Sequence, residues 1–122
     1  GVFTSDGDLR FVPVEPTRML DTRSGIGGWT PYQGSGQTID VRVVPDSARA
    51  VTGTITLVGP MRAGWLKAFA CGVEPPTSNV NAGIDQILAN GVTVGVGDGG
   101  RLCTKPLAAT HTLFDVTGWW VA

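Results

Sequence analysis

The chain has 122 residues, which suffices for one domain with a hydrophobic core of ordinary size. Its net charge of −1 argues against a nucleic-acid partner, because phosphate binding requires a basic surface. No apolar run approaches the roughly 18 residues of a membrane-spanning helix, and a hydrophobic content of 42% is too high for a disordered chain.

Short strands are predicted along most of the chain. Residues 11–22 are extended, but two prolines place the first half of this segment at a sheet edge, because proline cannot donate to a ladder. Alternating apolar and polar residues predict strands at 39–43 and 51–57. Gly59-Pro60 ends the second of these strands. A strand at 65–71 follows, and we expect it to form a hairpin with 51–57.

The second half of the chain continues the pattern. Strands are predicted at 92–96 and 101–104, joined by Asp98-Gly99-Gly100 as a hairpin turn. A last strand is predicted from Leu113 to Thr117, and Gly118-Trp119-Trp120 follow it. The only helical signal is one possible turn of helix, which rests on an apolar triple between two glycines, Ile84, Ile87 and Leu88.

Seven or eight short strands with frequent turns predict an all-β, single-domain antiparallel β-sandwich of jelly-roll type. A closed β-barrel or a three-fold trefoil is the alternative. Residues 10–122 are predicted to form this module, and residues 1–9 a flexible N-terminal segment or linker.

The two cysteines, Cys71 and Cys103, bear on the compartment. They lie 32 positions apart, outside any CxxC pair, and the single histidine cannot complete a Cys/His zinc site. A disulfide in a secreted or cell-surface protein is the favoured interpretation. Two reduced, buried thiols in a cytoplasmic protein are the alternative.

Catalytic signals are weak, and we expect no enzymatic activity. His111 is the only histidine, no GxSxG motif frames a serine nucleophile, and nothing pairs two carboxylates for glycoside hydrolysis. The loop acids form no recognised calcium loop, so no cofactor or metal is predicted.

A charged segment follows the first extended stretch. Arg18 and Arg23 flank Asp21, and an Arg–carboxylate pair has a defined bidentate geometry. One hypothesis is a polar cluster in which Asp21 and Arg23 orient sugar hydroxyls. The other is a partly buried ion pair that holds the N-terminal edge strand, with Asp115 as a second acid.

Aromatic and amide side chains provide the other candidate binding residues. Trp29 and Tyr32 lie in the Gly-rich loop 25–36, and Trp65 opens a predicted strand. Exposed aromatic rings can stack on sugars, but Trp29 and Tyr32 could instead cap an open end of the sandwich. Asn79 and Asn81 offer amide donors and acceptors for sugar hydroxyls or, alternatively, for loop backbone.

Several short motifs resemble a β-rich module of secreted actinobacterial proteins, over about residue 10 to the C-terminus. Residues 11–23 are similar to its opening "P-x-R-L-L-D-T-R". Further similarities lie at residues 50–57, 64–66, 70–72, 78–81, 89–90, 102–103 and 115–119, the last resembling "V-D-V-x-G-W/Y". Val80 stands where the family has Leu, and Ala82-Gly83 where it often has an aromatic residue.

This resemblance implies a non-catalytic module, often beside hydrolases or in tandem, on proteins exported to the cell envelope, and it supports the disulfide. We therefore expect a carbohydrate-binding module that targets an envelope polysaccharide, with arabinogalactan or a related glycan as the candidate. A structural or protein-interaction module of a secreted or surface protein is the alternative. Both expectations place the chain within a larger protein without a membrane span.

Overall fold

The computed structural model describes residues 9–29, 32–72, 74–76, 80–84 and 86–122, with the backbone alone at Val80 and Ala82. The described residues form eight strands and no helix. The strands are β1 (Arg10–Asp21), β2 (Ile39–Arg42), β3 (Ala48–Val58), β4 (Gly64–Ala70), β5 (Val80–Ala82), β6 (Ile87–Gly95), β7 (Arg101–Pro106) and β8 (His111–Val121).

The strands form two antiparallel sheets, with the orders β1-β8-β3-β6 and β2-β7-β4-β5. Strand pairs β1/β8, β2/β7, β3/β6 and β4/β5 alternate between the two sheets. This is the arrangement of one long hairpin rolled into a double layer, which is a jelly roll. The prediction of an all-β antiparallel sandwich of this type is confirmed, and neither a closed barrel nor a trefoil forms.

Both predicted hairpins are wrong. The strands β3 and β4 lie in different sheets, and so do β6 and β7. The connection at Gly59-Pro60 and the turn at 98–100 each carry the chain from one sheet to the other. Turn residues thus mark where the strands end, whereas strand partners are set by burial of the two inner faces against each other.

The apolar triple that allowed one turn of helix does not form one. Ile87 and Leu88 begin β6, which extends the predicted strand at 92–96 five residues toward the N-terminus. Residues 87–91 are exposed on both faces, so this half of the strand shows no alternation of apolar and polar residues. Pairing with β3 from Ala50 to Val58 nevertheless holds it in the sheet.

The core lies between the two sheets. Val51, Ile55 and Leu57 on β3 pack with Phe114 on β8 and with Leu66 on β4, and all five are almost fully buried. Period-two alternation along β3 accounts for this, because every second side chain of a strand faces the opposite sheet. Gly53 belongs to the same row, where a Cβ atom would lie 2.3 Å from the Asp115 carbonyl oxygen.

A disulfide joins Cys71, just after β4, to Cys103 on β7, as predicted, with 4.9 Å between the Cα atoms. It links neighbouring strands of the second sheet, and Cys103 is buried. Such a bond is compatible with an extracellular protein. Within the described part of the chain, no helix has the length and apolarity to cross a membrane. The predicted linker 1–9 lies outside the described residues, except for Leu9.

Candidate functional site

Asp21 is the last residue of β1 and is only 4% exposed. Its carboxylate is the centre of a network of hydrogen bonds. Arg23 donates three hydrogen bonds to it, from its backbone N–H at 2.9 Å, from Nε at 3.1 Å and from Nη2 at 3.0 Å. Arg18 adds a fourth from Nη1 at 3.2 Å. Four donors match the roughly four lone-pair sites of a carboxylate, so Asp21 has little capacity left for a ligand.

Arg18 extends this network to the neighbouring strand. Its Nε and Nη2 donate to Asp115 on β8 at 2.8 and 3.1 Å, a bidentate pair. The Arg–Asp network therefore ties edge strand β1 to β8, as the structural alternative predicted. Hydrogen bonds from the Arg23 guanidinium hold the pKa of Asp21 below its ordinary value despite burial of the carboxylate. Asp21 thereby orients Arg23, whose side chain is 44% exposed.

A buried glutamine fixes the loop that carries Tyr32. Gln33 is fully buried, and its Nε2 donates to the carbonyl oxygens of Thr104 at 2.7 Å and Gln37 at 2.8 Å. Its Oε1 accepts from the hydroxyls of Thr104 at 3.2 Å and Thr112 at 2.7 Å. Two backbone hydrogen bonds with Thr110 complete the anchor. Every polar atom of the Gln33 amide is thus used, so the position of Tyr32 is well defined.

The ring of Tyr32 stacks on the ring of His111, the only histidine of the sequence. The two rings stack with centroids 4.2 Å apart and an interplanar angle of 27°. His111 Nδ1 shares a 2.9 Å hydrogen bond with Thr22 Oγ1, which also accepts the Thr112 backbone N–H at 3.0 Å. The imidazole is therefore held on one side by Thr22 and covered on one face by Tyr32. The outer part of the Tyr32 ring remains in solvent, with 45% of the residue exposed.

The candidate site with the most side-chain contacts around an exposed ring consists of Tyr32, His111, Thr22 and Arg23. We call these four residues the Tyr32 platform. It combines an exposed ring, a second ring that fixes its tilt, and a guanidinium oriented by a buried carboxylate. Arg23 follows Thr22 directly in the chain, and Thr22 holds the His111 ring. The exposed Tyr32 ring can stack on a flat apolar surface, and the Arg23 guanidinium can donate hydrogen bonds.

Trp29 belongs to the same loop as Tyr32 but makes different contacts. Its ring is half-buried and packs against the core, and its Nε1 donates to the Asp40 carbonyl oxygen at 3.4 Å. These contacts match the alternative in which Trp29 caps the sandwich. Trp29 is therefore a support for the loop in this structure.

Trp65 and Asn81 form a second group, on the other sheet. They face each other in register across β4 and β5. The Lys67 ammonium lies 4.9 Å from the Trp65 ring centroid and is hydrogen bonded to Glu74 at 2.9 Å. Trp65 is half-buried, which leaves it less free to stack on a ligand than Tyr32. Asn79 lies outside the described residues.

Two contacts of the surface were not predicted from the sequence. The sequence indicates that His111 is a surface residue beside threonines rather than a catalyst, but not that its ring stacks on Tyr32. On the outer face of the first sheet, Phe11 packs against Trp120 at 5.0 Å, and Trp120 Nε1 donates to Thr52 Oγ1 at 3.1 Å. The Trp119-Trp120 pair carried the signal for this face, because adjacent strand residues point to opposite sides and Trp119 packs against the core.

One group of potential metal ligands occurs among the described residues, Asp40 with Cys71 and Cys103. Both sulfur atoms are bonded to each other, so they offer no thiolate, and Arg101 occupies the Asp40 carboxylate. This group therefore has the chemistry of a disulfide beside an ion pair.

In comparisons with known proteins, the chain matches no protein-family model, no curated protein and no solved structure.

Proposed function

We propose that this chain is a non-catalytic carbohydrate-binding module that uses the Tyr32 platform. The observation that carries the proposal is the exposed Tyr32 ring, which stacks on His111 with 4.2 Å between the ring centroids. Large aromatic surfaces seldom remain in water without a use, and this one is preorganised by a fully satisfied amide at Gln33.

The mechanism follows from the groups on the platform. The Tyr32 ring stacks on the C–H face of a sugar, while its hydroxyl and the Arg23 guanidinium hydrogen bond to hydroxyls at the sugar rim. One ring and one guanidinium supply a small contact area. The affinity of a single site is therefore micromolar to millimolar, or about −4 to −8 kcal/mol, and tandem copies would gain avidity.

Charge favours a neutral glycan over a small anion. Arg23 is the cation of the platform, and its guanidinium is already paired with Asp21 at 3.0 Å. The combination of polar groups around one ring also differs from the core of a protein interface, which is depleted of charge.

The partner we propose is a polysaccharide of the cell envelope, with arabinogalactan or a related furanose polymer as the first candidate. The choice of this polymer rests on the sequence motifs at residues 11–23 and 115–119, which resemble those of exported envelope proteins. The disulfide supports an oxidising compartment. Within a larger protein, the module would hold a neighbouring domain on the polymer.

The experiment is a pull-down on insoluble arabinogalactan, peptidoglycan, cellulose and chitin, with the wild type and the variants Tyr32→Ala, Trp65→Ala and Met61→Ala. Met61 is 58% exposed and lies outside the platform, so its variant is the matched control. Retention on one polymer by the wild type and Met61→Ala, reduced at least about tenfold in folded Tyr32→Ala, supports the proposal. Retention that Trp65→Ala abolishes instead would move the site to the second sheet, and no retention on any polymer would contradict the proposal.

A further inference from the structure

An open apolar cavity of about 440 Å³ lies between the two sheets, at the side of the sandwich where β1 and β2 are the edge strands. Strands β1 and β8 and the residues that follow β2 supply its walls. The apolar lining includes Val14, Met19, Val43, Val44, Val116 and Trp119. Sites for small molecules usually have volumes of about 300–1,000 Å³ and mostly apolar walls, so the cavity has the size and lining of such a site.

Two irregularities of β1 shape this cavity. Val14 is one of three β1 residues that stand opposite a single residue of β8, Thr117. Met19 is an extra residue between Arg18 and Leu20, whose partners on β8 are consecutive. A bulge bends its strand and redirects a side chain. Val14 and Met19 both line the cavity and pack partly against the core, so the bulges place apolar side chains around this space.

Arg42 is the charged residue of the described lining. Its Nη2 donates to Asp46 at 3.0 Å, and its Nε donates to the Val44 carbonyl oxygen at 3.5 Å. The side chains of Arg42 and Asp46 are 57% and 74% exposed, so their ion pair is weak and a ligand carboxylate can share the guanidinium. An apolar cavity beside one exposed guanidinium complements a molecule with an apolar body and one anionic end.

We propose that this cavity binds a medium-chain aliphatic carboxylate, with the chain between the sheets and the carboxylate on Arg42. At about 30 Å³ for each water-sized group, the volume is enough for a chain of about ten carbons with its head group.

Two other occupants fit the cavity poorly. A sugar would lose hydrogen bonds to water against walls of valine and methionine. An extended peptide has little edge to pair with here, because β1 carries two prolines and β2 has only four residues.

The experiment is an NMR titration of the ¹⁵N-labelled chain with decanoate, octanoate and decylammonium, each below its micelle concentration and up to about 10 mM. We expect the largest shift changes with decanoate at Val14, Met19 and the Trp119 indole N–H. Each buried methylene strengthens binding about fourfold, so octanoate should bind about 15-fold more weakly than decanoate. Decylammonium should bind at least about tenfold more weakly, because its charge has the same sign as that of Arg42.

Four variants separate the chain site from the head-group site. Val14→Phe fills the cavity and should abolish decanoate binding. Arg42→Gln should weaken it about tenfold, and Asp46→Asn, which removes the competing carboxylate, should strengthen it about two- to fivefold. Arg62→Gln is the matched control, because Arg62 is an exposed arginine between β3 and β4 outside the lining, and it should bind as the wild type does. Thermal melting checks that each variant is folded.

The wild type alone can overturn the proposal. No shift changes around the cavity at about 10 mM decanoate, or equal binding of decanoate and decylammonium, would contradict it. Unchanged decanoate binding by folded Val14→Phe would also contradict it, because the ligand would then lie elsewhere. None of these outcomes depends on polysaccharide binding, since the cavity and the Tyr32 platform share no residue.

Discussion

The substitution Asp21→Asn tests whether the Arg–Asp network holds β1 in place. Asp21 is 4% exposed, and its carboxylate accepts four hydrogen bonds, all from Arg23 and Arg18. Asparagine keeps the size of the side chain but loses the charge and turns an NH₂ group toward the guanidinium groups. A net hydrogen bond to a charged group is worth about 1.5–3 kcal/mol.

The expected loss is smaller than the sum of these bonds. Arg18 and Arg23 have 38% and 44% of their side chains exposed, so water can solvate both guanidinium groups after the substitution. We therefore expect Asp21→Asn to lower the free energy of unfolding by about 3 kcal/mol. For a domain of this size the melting temperature should fall by roughly 10 °C.

Urea unfolding followed by tryptophan fluorescence measures this change, with Asp46→Asn as the matched control. Asp46 pairs with Arg42 at 3.0 Å, but both side chains are more than half exposed, so the control should lose less than about 0.5 kcal/mol. A loss of under about 0.5 kcal/mol for Asp21→Asn would refute the structural role of the network.

The stability difference between the wild type and Asp21→Asn should depend on pH in a defined direction. The folded-state pKa of Asp21 is lowered, chiefly by its hydrogen bonds with Arg23, so folding favours the charged carboxylate. Its contribution to stability is fully present above the ordinary aspartate pKa of about 4, and it is lost as the pH falls through the lower folded-state value. The stability difference between wild type and Asp21→Asn should therefore be constant near neutral pH and shrink in acid.

Three further substitutions test the fold. Replacing both Cys71 and Cys103 by Ser should lower the free energy of unfolding, measured in urea, by about 3–4 kcal/mol. The reason is that the unfolded chain is then no longer constrained by a closed loop between positions 32 apart. Gln33→Leu leaves two buried threonine hydroxyls without their acceptor, so we expect a loss of about 2–4 kcal/mol and a lower melting temperature. Gly53→Ala forces a Cβ against the backbone of β8 and should lower the urea midpoint by the equivalent of about 1–3 kcal/mol. A neutral result for any of the three contradicts the packing described for that residue.

Local patterns predicted the strands well where one face is buried. Val51, Ile55 and Leu57 alternate with threonines, and the structure buries that apolar row against the second sheet. The first half of β6 lacks this alternation because residues 87–91 are exposed on both faces. The two predicted hairpins failed for another reason, since a turn that crosses between sheets uses the same Gly and Pro residues as a hairpin turn.

The candidate site was predicted only in part. Arg18, Asp21 and Arg23 lie within six residues, so the sequence shows their charge pattern. It left two hypotheses open, a cluster that binds sugar hydroxyls and an ion pair that holds the edge strand. The network with Asp115 matches the second hypothesis. The platform depends on contacts across the fold, such as Thr22 with His111, 89 positions apart. Such contacts follow from the order of the strands, which no local motif encodes.

The most direct test of the Tyr32 platform is an NMR titration of the ¹⁵N-labelled chain with soluble arabinogalactan. The proposed function predicts that the largest shift changes cluster at Arg23, Tyr32 and His111, and that folded Tyr32→Ala loses them. Changes confined to residues around Trp65 or Trp120, or no changes at millimolar sugar, would contradict the proposed site.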